Sequence, residues 1–315
     1  MKDDLVAPPG EVPRAAPALR RALVLFNDRA RRVAPNVTRM LDAIERRGFE
    51  IVRPAAPSRS ALAEAIRARQ HDVDFVIAGG GDGTLNAVLQ GLVGTGLPLG
   101  LLPLGTANDL ARTLKIPSDL DGACDVIAAG HQVRIDVGRV NGVYYFNEAS
   151  IGLSATLCRQ ITSEEKKRFG ILALLYNAVR LLIKMRRFRA LVRMDGGDEF
   201  ALRTAQLTVG NSQNFGGFIA TDDGAIDDRL LDLYSVGFEN GWSYFDAMIT
   251  LLRRKYDEAR SVRTLHGRRF EIRTGKPKRI EADGELVTQT PAVFEIVPHA
   301  ISVFVPAPVV EAPSP

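Results

Sequence analysis

The sequence predicts an α/β domain followed by a β-rich sandwich domain, and three observations predict it. The chain has 315 residues, against roughly 150 for an average domain. Its first half alternates short apolar runs with helically spaced ones, the pattern of a parallel sheet with right-handed crossovers. Its second half is mostly short strand-like runs separated by Asn-Gly and Asp-Gly pairs.

The elements follow in order. Residues 1–19 hold Pro8, Pro9, Pro13 and Pro17 and read as a disordered flank. The α/β domain takes 20–133. A strand is expected at 22–26. A helix at 36–47 is spaced by Val37, Met40, Leu41 and Ile44 and stopped by Gly48. A strand at 49–52 and a helix at 60–69 come next. The apolar run 73–78 predicts a strand buried on both faces. A helix at 84–93, a strand at 99–102 and helices at 107–114 and 121–129 complete this half.

The β-rich domain takes 134–305. Strands are expected at 135–140, 143–146, 191–194, 201–209, 230–236, 270–273, 279–282, 293–297 and 301–305. The turn signals are Asn141-Gly142, Asp195-Gly196, Asp223-Gly224 and Asp283-Gly284. Two helical stretches, 164–187 and 241–254, interrupt them. The tail 306–315 repeats the proline-rich style of the first flank.

Composition narrows the class. The chain is 46% hydrophobic and 25% charged, which excludes wholesale disorder and fibrous repeats. Two cysteines, Cys124 and Cys158, make no disulfide framework and fit a reducing compartment. No apolar run is long enough to span a bilayer. The first residues carry Asp3 and Asp4 and no apolar core, unlike a signal peptide. A cytoplasmic protein is expected. The net charge of +4 does not argue for nucleic acid. The charge is unevenly placed, however: residues 166–193 carry +9, residues 253–279 carry +8, and the remainder carries −13. Such polarity suits an anionic membrane surface; two solvated faces are the plainer reading.

The strongest local signal is Gly79-Gly80-Gly81-Asp82-Gly83-Thr84, directly after the strand at 73–78. Consecutive glycines let main-chain N–H groups approach an oxyanion and permit positive φ. The following helix aims its positive end at the same place. This is a phosphate cradle, with no Gly-Lys-Ser/Thr of a Walker loop. Asp82 beside phosphates calls for a divalent cation, expected to be Mg2+. The plainer alternative is a packing turn with Asp82 as a cap. A second loop, Leu102-Pro103-Leu104-Gly105-Thr106-Ala107-Asn108-Asp109, leaves the next strand end, so both loops line one crevice. Thr106 and Asn108 offer neutral hydrogen bonds, or serve as a helix N-cap. Asp109 is a second carboxylate, and Arg112 lies one turn along.

These two loops resemble the catalytic domain of the diacylglycerol kinase and sphingosine kinase superfamily, most nearly the bacterial YegS-type lipid kinases. The likeness continues in order through Ile135-Asp136, Phe146-Asn147, Gly210-Asn211, Gly216-Gly217, Asp228 with Leu230-Leu231, Asp283-Gly284-Glu285 and Val297-Pro298-His299-Ala300. The resemblance implies an α/β nucleotide domain of the NAD kinase/diacylglycerol kinase type and a β-rich second domain, with ATP in the cleft. It implies that Gly79, Gly80, Gly81, Asp82, Gly83, Thr84, Leu85, Thr106 and Asn108 contact ATP. It also implies that Asp82, Asp109, Arg112 and Asp136 order a metal and water network, and that Glu285 is the catalytic base. A second metal site is implied at Asp228 with the carbonyls of Ala225 and Leu230. Four positions depart from the family pattern. Asn27-Asp28-Arg29-Ala30-Arg31 replaces an Asn-Pro-x-Ser-Gly element, Ala55 a threonine, Ala87 a glutamate and Arg229 a glycine.

The implied reaction moves the γ-phosphate of ATP to a lipid hydroxyl, in diacylglycerol-like, phosphatidylglycerol or sphingoid acceptors, with Asp136 next in line as base. Lys166 and Lys167 are further candidates for the phosphates. The helix at 170–187 sets Leu172, Leu175, Val179, Leu182 and Ile183 beside Arg180, Lys184, Arg186 and Arg187, a pattern that suits a membrane interface or a packed core. Basic segments 166–193 and 253–279 are the expected peripheral contacts with the inner face of the membrane. Two other readings stay open: an NAD kinase, which shares the Gly-Gly-Asp-Gly-Thr loop, and a non-catalytic nucleotide-sensing or membrane-binding protein.

Overall fold

The structure, a computed structural model, describes residues 21–26, 37–54, 58–152, 187–211, 214–215, 219–220, 229–236 and 262–307. The expected helices at 164–187 (Arg187 excepted) and 241–254 lie outside these residues, as do both flanks up to residue 20 and beyond 307. So do the Asp223-Gly224 turn, Lys166, Lys167, Ala55 and the 27–31 loop.

The first half is the expected α/β layer. Strand β1 (Arg21–Phe26) is followed by α1 (Val37–Glu45), β2 (Glu50–Val52), a 3-10 turn (Arg59–Ala61) leading into α2 (Leu62–Arg69), β3 (Phe75–Gly80), α3 (Asp82–Leu92), β4 (Leu99–Pro103), α4 (Asp109–Thr113) and α5 (Leu120–Ala129). The parallel order is β2-β1-β3-β4. Every residue of β3 is buried, as its unbroken apolar run requires between two helical layers. The strand runs two residues further than expected, through Gly79 and Gly80, which pair with Leu102 and Pro103. Among the helices, α5 ends in a left-handed Gly130, an ordinary glycine stop. Cys124 on α5 is buried, and burial pushes its thiol up to about 11, so it is unreactive.

The second half continues the same sheet and builds another over it. Strands β5 (Gln132–Val140) and β6 (Val143–Tyr145) form a hairpin through Asn141 and Gly142, both at positive φ. Then come β7 (Glu148–Ile151), β8 (Phe188–Met194), β9 (Glu199–Thr204), β10 (Gln206–Gly210), β11 (Asn214–Phe215), β12 (Ile219–Ala220), β13 (Leu231–Val236), β14 (Val262–Gly267), β15 (Arg269–Thr274), β16 (Arg279–Ala282), β17 (Glu285–Gln289) and β18 (Ala292–Phe304). The long β18 joins the halves. It pairs with β4 in parallel, and with β5 and β15 antiparallel, giving a ten-stranded sheet. A six-stranded sheet, β14-β13-β10-β7-β16-β17, faces it. Between the two sheets lie Phe270, Phe294, Val192, Leu207, Leu231 and Ile280, all buried. This is a β sandwich.

Three strand expectations need correction. The run 201–209 is two strands, β9 and β10, in different sheets. The corner is made by Thr204, whose hydroxyl donates to Gln206 O at 2.6 Å while Thr204 Oγ1 accepts from the Gln206 N–H at 3.2 Å. The runs 293–297 and 301–305 are one strand, β18, with a register break between Val297 and Ile301 that takes up Pro298 and a left-handed His299. Strands β7, β11, β12, β14 and β17 were not expected at all.

Candidate active site

Two polar centres emerge, and the glycine corner is the first. A side chain added at Gly79 would meet the Phe26 ring at 2.3 Å, one at Gly80 would meet Thr84 Oγ1 at 2.5 Å, and one at Gly81 would meet Gly105 Cα at 3.0 Å. None of the three has a positive φ. The glycines therefore serve close approach, not left-handed backbone, and this corrects the conformational half of the sequence argument. Gly81 precedes α3 in extended backbone and has no side chain with which to cap it. The helix starts at Asp82, two residues earlier than expected, so Asp82, Gly83 and Thr84 form its first turn. Thr84 and Leu85 are buried beneath the turn.

The second loop closes on the first. Leu104 N–H donates to Gly80 O at 3.1 Å. Asn108 is left-handed and precedes α4, yet its side chain does not cap that helix. Its Oδ1 accepts from Gly105 N–H at 2.8 Å, and its Nδ2 donates to Pro103 O and Gly105 O. The α4 N–H that Asn108 leaves open is met from the other loop, where Asp82 Oδ1 accepts from Asp109 N–H at 2.9 Å. Asp82 thus caps α4 from the other loop. Asp109 is buried and ion-paired with the exposed Arg112. Thr106 is exposed at the mouth of the loop.

The donors at this corner are hard oxygens. Among the described residues no cluster of three or more His, Cys, Asp or Glu could hold a metal ion. A divalent cation at Asp82 would therefore complete its shell with phosphate oxygens and water, the usual arrangement for Mg2+. The residues fit such an ion only together with a nucleotide.

The second centre is the junction between the two sheets. Asp136 on β5 is 1% exposed. Its carboxylate accepts from His299 N–H at 2.7 Å and Arg229 N–H at 2.9 Å. Both donors are left-handed, with φ of 49° and 62°. Arg229 Nη2 also lies 3.0 Å from His299 Nε2. Asn211 Nδ2 bridges Asp136 O and Phe146 O, and its N–H donates to Asn147 O. Asp283 is buried, and its carboxylate accepts from the N–H groups of Phe146, Asn147 and Glu148 at 2.7, 3.0 and 3.2 Å. Burial pushes the Asp283 carboxyl up, and the three amides oppose that shift. The same burial, with the Asp283 charge beside it, holds the Tyr145 phenol well above its usual range. Asp283 and Gly284 both have positive φ, a two-residue hairpin, and deliver half-buried Glu285 to the start of β17.

The structure therefore gathers Asp82, Asn108, Asp109 and Arg112 at the corner, and Asp136 with the Asp283–Glu285 turn at the junction. Register separates the two. Val303 pairs with Leu99 and Ile301 with Ile135, so Asp136 stands beyond the amino end of β4, whereas the glycine corner leaves its carboxyl end. Leu230, half-buried, follows Arg229; its expected metal partners Asp228 and Ala225 lie outside the described residues. From the sequence Asp283 was expected only as a turn residue, and Asn147 and Asn211 stood out only by their place in the ordered motif series.

Comparison with known proteins agrees with this architecture. Residues 21–140 match the Diacylglycerol kinase catalytic domain, and residues 147–305 match the YegS C-terminal NAD kinase beta sandwich-like domain. The chain is 29% identical over 297 residues to a diacylglycerol kinase of Staphylococcus saprophyticus, covering 91% of this chain and 96% of that one. It is 27% identical over 238 residues to an uncharacterized protein of Synechocystis, covering 74% of this chain and 55% of that relative. Among solved structures, a diacylglycerol kinase from Bacillus anthracis superposes with a TM-score of 0.74 at 22% identity, covering 94% of this chain and all of that one. An NAD kinase from Archaeoglobus fulgidus in complex with ATP superposes with a TM-score of 0.50 at 16% identity over 90% of this chain and 93% of that one.

Proposed function

This chain belongs to the diacylglycerol kinase and YegS-type lipid kinase family, and from that premise we propose that it transfers the γ-phosphate of ATP to a lipid hydroxyl. The observation that carries the reading is the glycine corner, where the Asp82 carboxylate is built into the first turn of α3 and reaches the Asp109 N–H of the second loop. Such a corner is made for an anion and a cation together.

Bound ATP supplies the phosphoryl group, and Mg2+ neutralises its developing charge. The amides of the glycine corner hold the phosphates, with Thr106 and Asn108 at the rim. Asp82 orients the metal side, and Arg112 is exposed and available to a phosphate oxygen. Glu285 takes the acceptor hydroxyl's proton; the Asp283 carboxylate, seated on three amides, fixes the turn that carries it. Asp136 holds the left-handed turns at Arg229 and His299.

The acceptor is met at the inner membrane surface through basic segments 166–193 and 253–279. The charge asymmetry supports this, and the described part refines it. Arg193, Arg269 and Arg273 are spent in ion pairs with Glu271, Glu295 and Glu199, whereas Arg189, Arg263, Arg268, Lys276 and Arg279 are exposed. Among the described residues no helix is long and apolar enough to cross a bilayer.

The test is labelled ATP with diacylglycerol, phosphatidylglycerol and sphingoid acceptors, each in neutral and anionic mixed micelles. Label in a lipid, enhanced by anionic micelles and reduced by salt, is the expected result. Label in NAD alone would make the protein an NAD kinase. Tight ATP binding with no product would make it a sensor.

A further inference from the structure

Helix α3 starts at the glycine corner and ends against the second half. Its Gln90 lies about 12 Å along the axis from Asp82, at roughly 1.5 Å per residue. Gln90 Nε2 donates to Tyr144 O at 2.8 Å, and Gln90 Oε1 accepts from Tyr144 N–H at 3.0 Å. The same Nε2 lies 3.1 Å from Asn86 O and 3.3 Å from Asn86 Oδ1, one turn earlier. These contacts fix the amide's orientation. Exchanging its nitrogen and oxygen would set donor against donor at Tyr144 N–H and acceptor against acceptor at three oxygens. Gln90 thus bonds the main chain of Tyr144 as a neighbouring strand would, although 54 positions separate them.

Tyr144 lies on β6. Two residues later, the N–H groups of Phe146, Asn147 and Glu148 seat the Asp283 carboxylate, and Asp283 leads through Gly284 to Glu285. A continuous path of short bonds therefore runs from the helix that begins at the phosphate corner to the turn that carries Glu285.

We infer that Gln90 is a positioning residue: by locking β6 onto α3 it sets where Glu285 stands relative to the phosphate corner. This deepens the lipid-kinase reading and rests on it. The lock is part-buried, so water competes with it less than at a surface. A misplacement of about 1 Å between reacting groups can cost ~100-fold in rate.

Two variants test it. Gln90→Met keeps the length and removes both bonds to Tyr144. Gln90→Glu keeps the shape, and its carboxyl donates to Tyr144 O only when protonated. Kinetics are read on protein whose fold is checked by circular dichroism, with the lipid that the wild type phosphorylates. Gln90→Met is expected to lower kcat by about 10- to 100-fold while KM for ATP holds, because the glycine corner is untouched. Gln90→Glu should lose as much at mildly alkaline pH and recover, relative to wild type, as pH falls. In parallel, hydrogen exchange at residues 144–148 and 283–285 is followed with and without ATP. ATP should slow it in the wild type and not in Gln90→Met. A wild-type kcat in Gln90→Met overturns the inference. So does a joint loss of kcat and ATP affinity that acid does not reverse in Gln90→Glu. If the wild type phosphorylates no lipid, the lipid-kinase reading fails, and exchange alone decides on Gln90: an ATP response in Gln90→Met equal to wild type rejects its role.

Discussion

The glycine corner and the inter-sheet junction both set carboxylates against main-chain N–H groups, but they are assembled in opposite ways. The corner comes from two stretches, 79–84 and 103–112, each running out of the end of a strand of one parallel sheet. The junction comes from six: Asp136, Phe146–Glu148, Asn211, Arg229, Asp283 and His299. At the corner, Asp82 Oδ1 accepts from the Asp109 N–H and so joins one loop to the other. At the junction, Asp136 and Asp283 use both oxygens on backbone. Their charge is applied to geometry. A carboxylate that seats two or three amides holds strands more firmly than it holds a ligand.

The contrast breaks most sharply at Glu285, the one junction residue assigned to chemistry. Glu285→Gln should lower kcat by about 10²- to 10⁴-fold, the worth of a general base, with ATP affinity unchanged by nucleotide titration. A loss below about fivefold would return Glu285 to scaffolding.

At the corner, Asp82→Asn retains an oxygen for the Asp109 N–H and removes the charge. Melting should be close to wild type while turnover falls by about 100-fold or more, since several kcal/mol of charge stabilisation are at stake. Near-normal turnover at saturating Mg2+ would show that the carboxylate is only a cap.

Asp136→Ala probes the junction as structure. It strands the N–H groups of Arg229 and His299, and at about 1–3 kcal/mol for each the protein should lose ~3 kcal/mol in urea unfolding. An unchanged midpoint would show that the two left-handed turns hold themselves.

The smallest effect is expected at Arg229. Its left-handed backbone costs about 1–2 kcal/mol for a residue with a side chain. Glycine removes that cost but gives back about 0.4–1 kcal/mol as freedom of the unfolded chain. Arg229→Gly should therefore be slightly more stable, by about 0–1.6 kcal/mol, with the Asp136 bond retained. A clear loss of stability would mean that the contact with His299 carries the turn.

Legibility follows the same division. The Asn141-Gly142 and Asp283-Gly284 turns are local patterns and stand where the sequence puts them, and the run at 73–78 and the helix starts lie within about two residues of their expected places. Strand β7 escaped because Glu148 and Ser150 are buried polar residues that interrupt an apolar reading. Strands β9 and β10 were merged because a change of sheet at Ala205 leaves no mark on hydrophobicity; Thr204, whose hydroxyl makes the corner, is an ordinary strand residue.

Sequence by itself determined the α/β half, the β-rich sandwich half, the glycine corner and the family. Each rests on residue types at fixed spacing: glycines where backbones touch, alternation where a face is buried, an aspartate where a phosphate would lie. Tertiary structure alone decided that Asp82 caps α4, that Asp136 and Asp283 anchor strands, and that Gln90 ties α3 to β6. In all of these a side chain bonds to main-chain N–H or C=O groups, which nearly every residue carries. Such a partner leaves no signature in the sequence, and only the path of the folded chain brings it within reach.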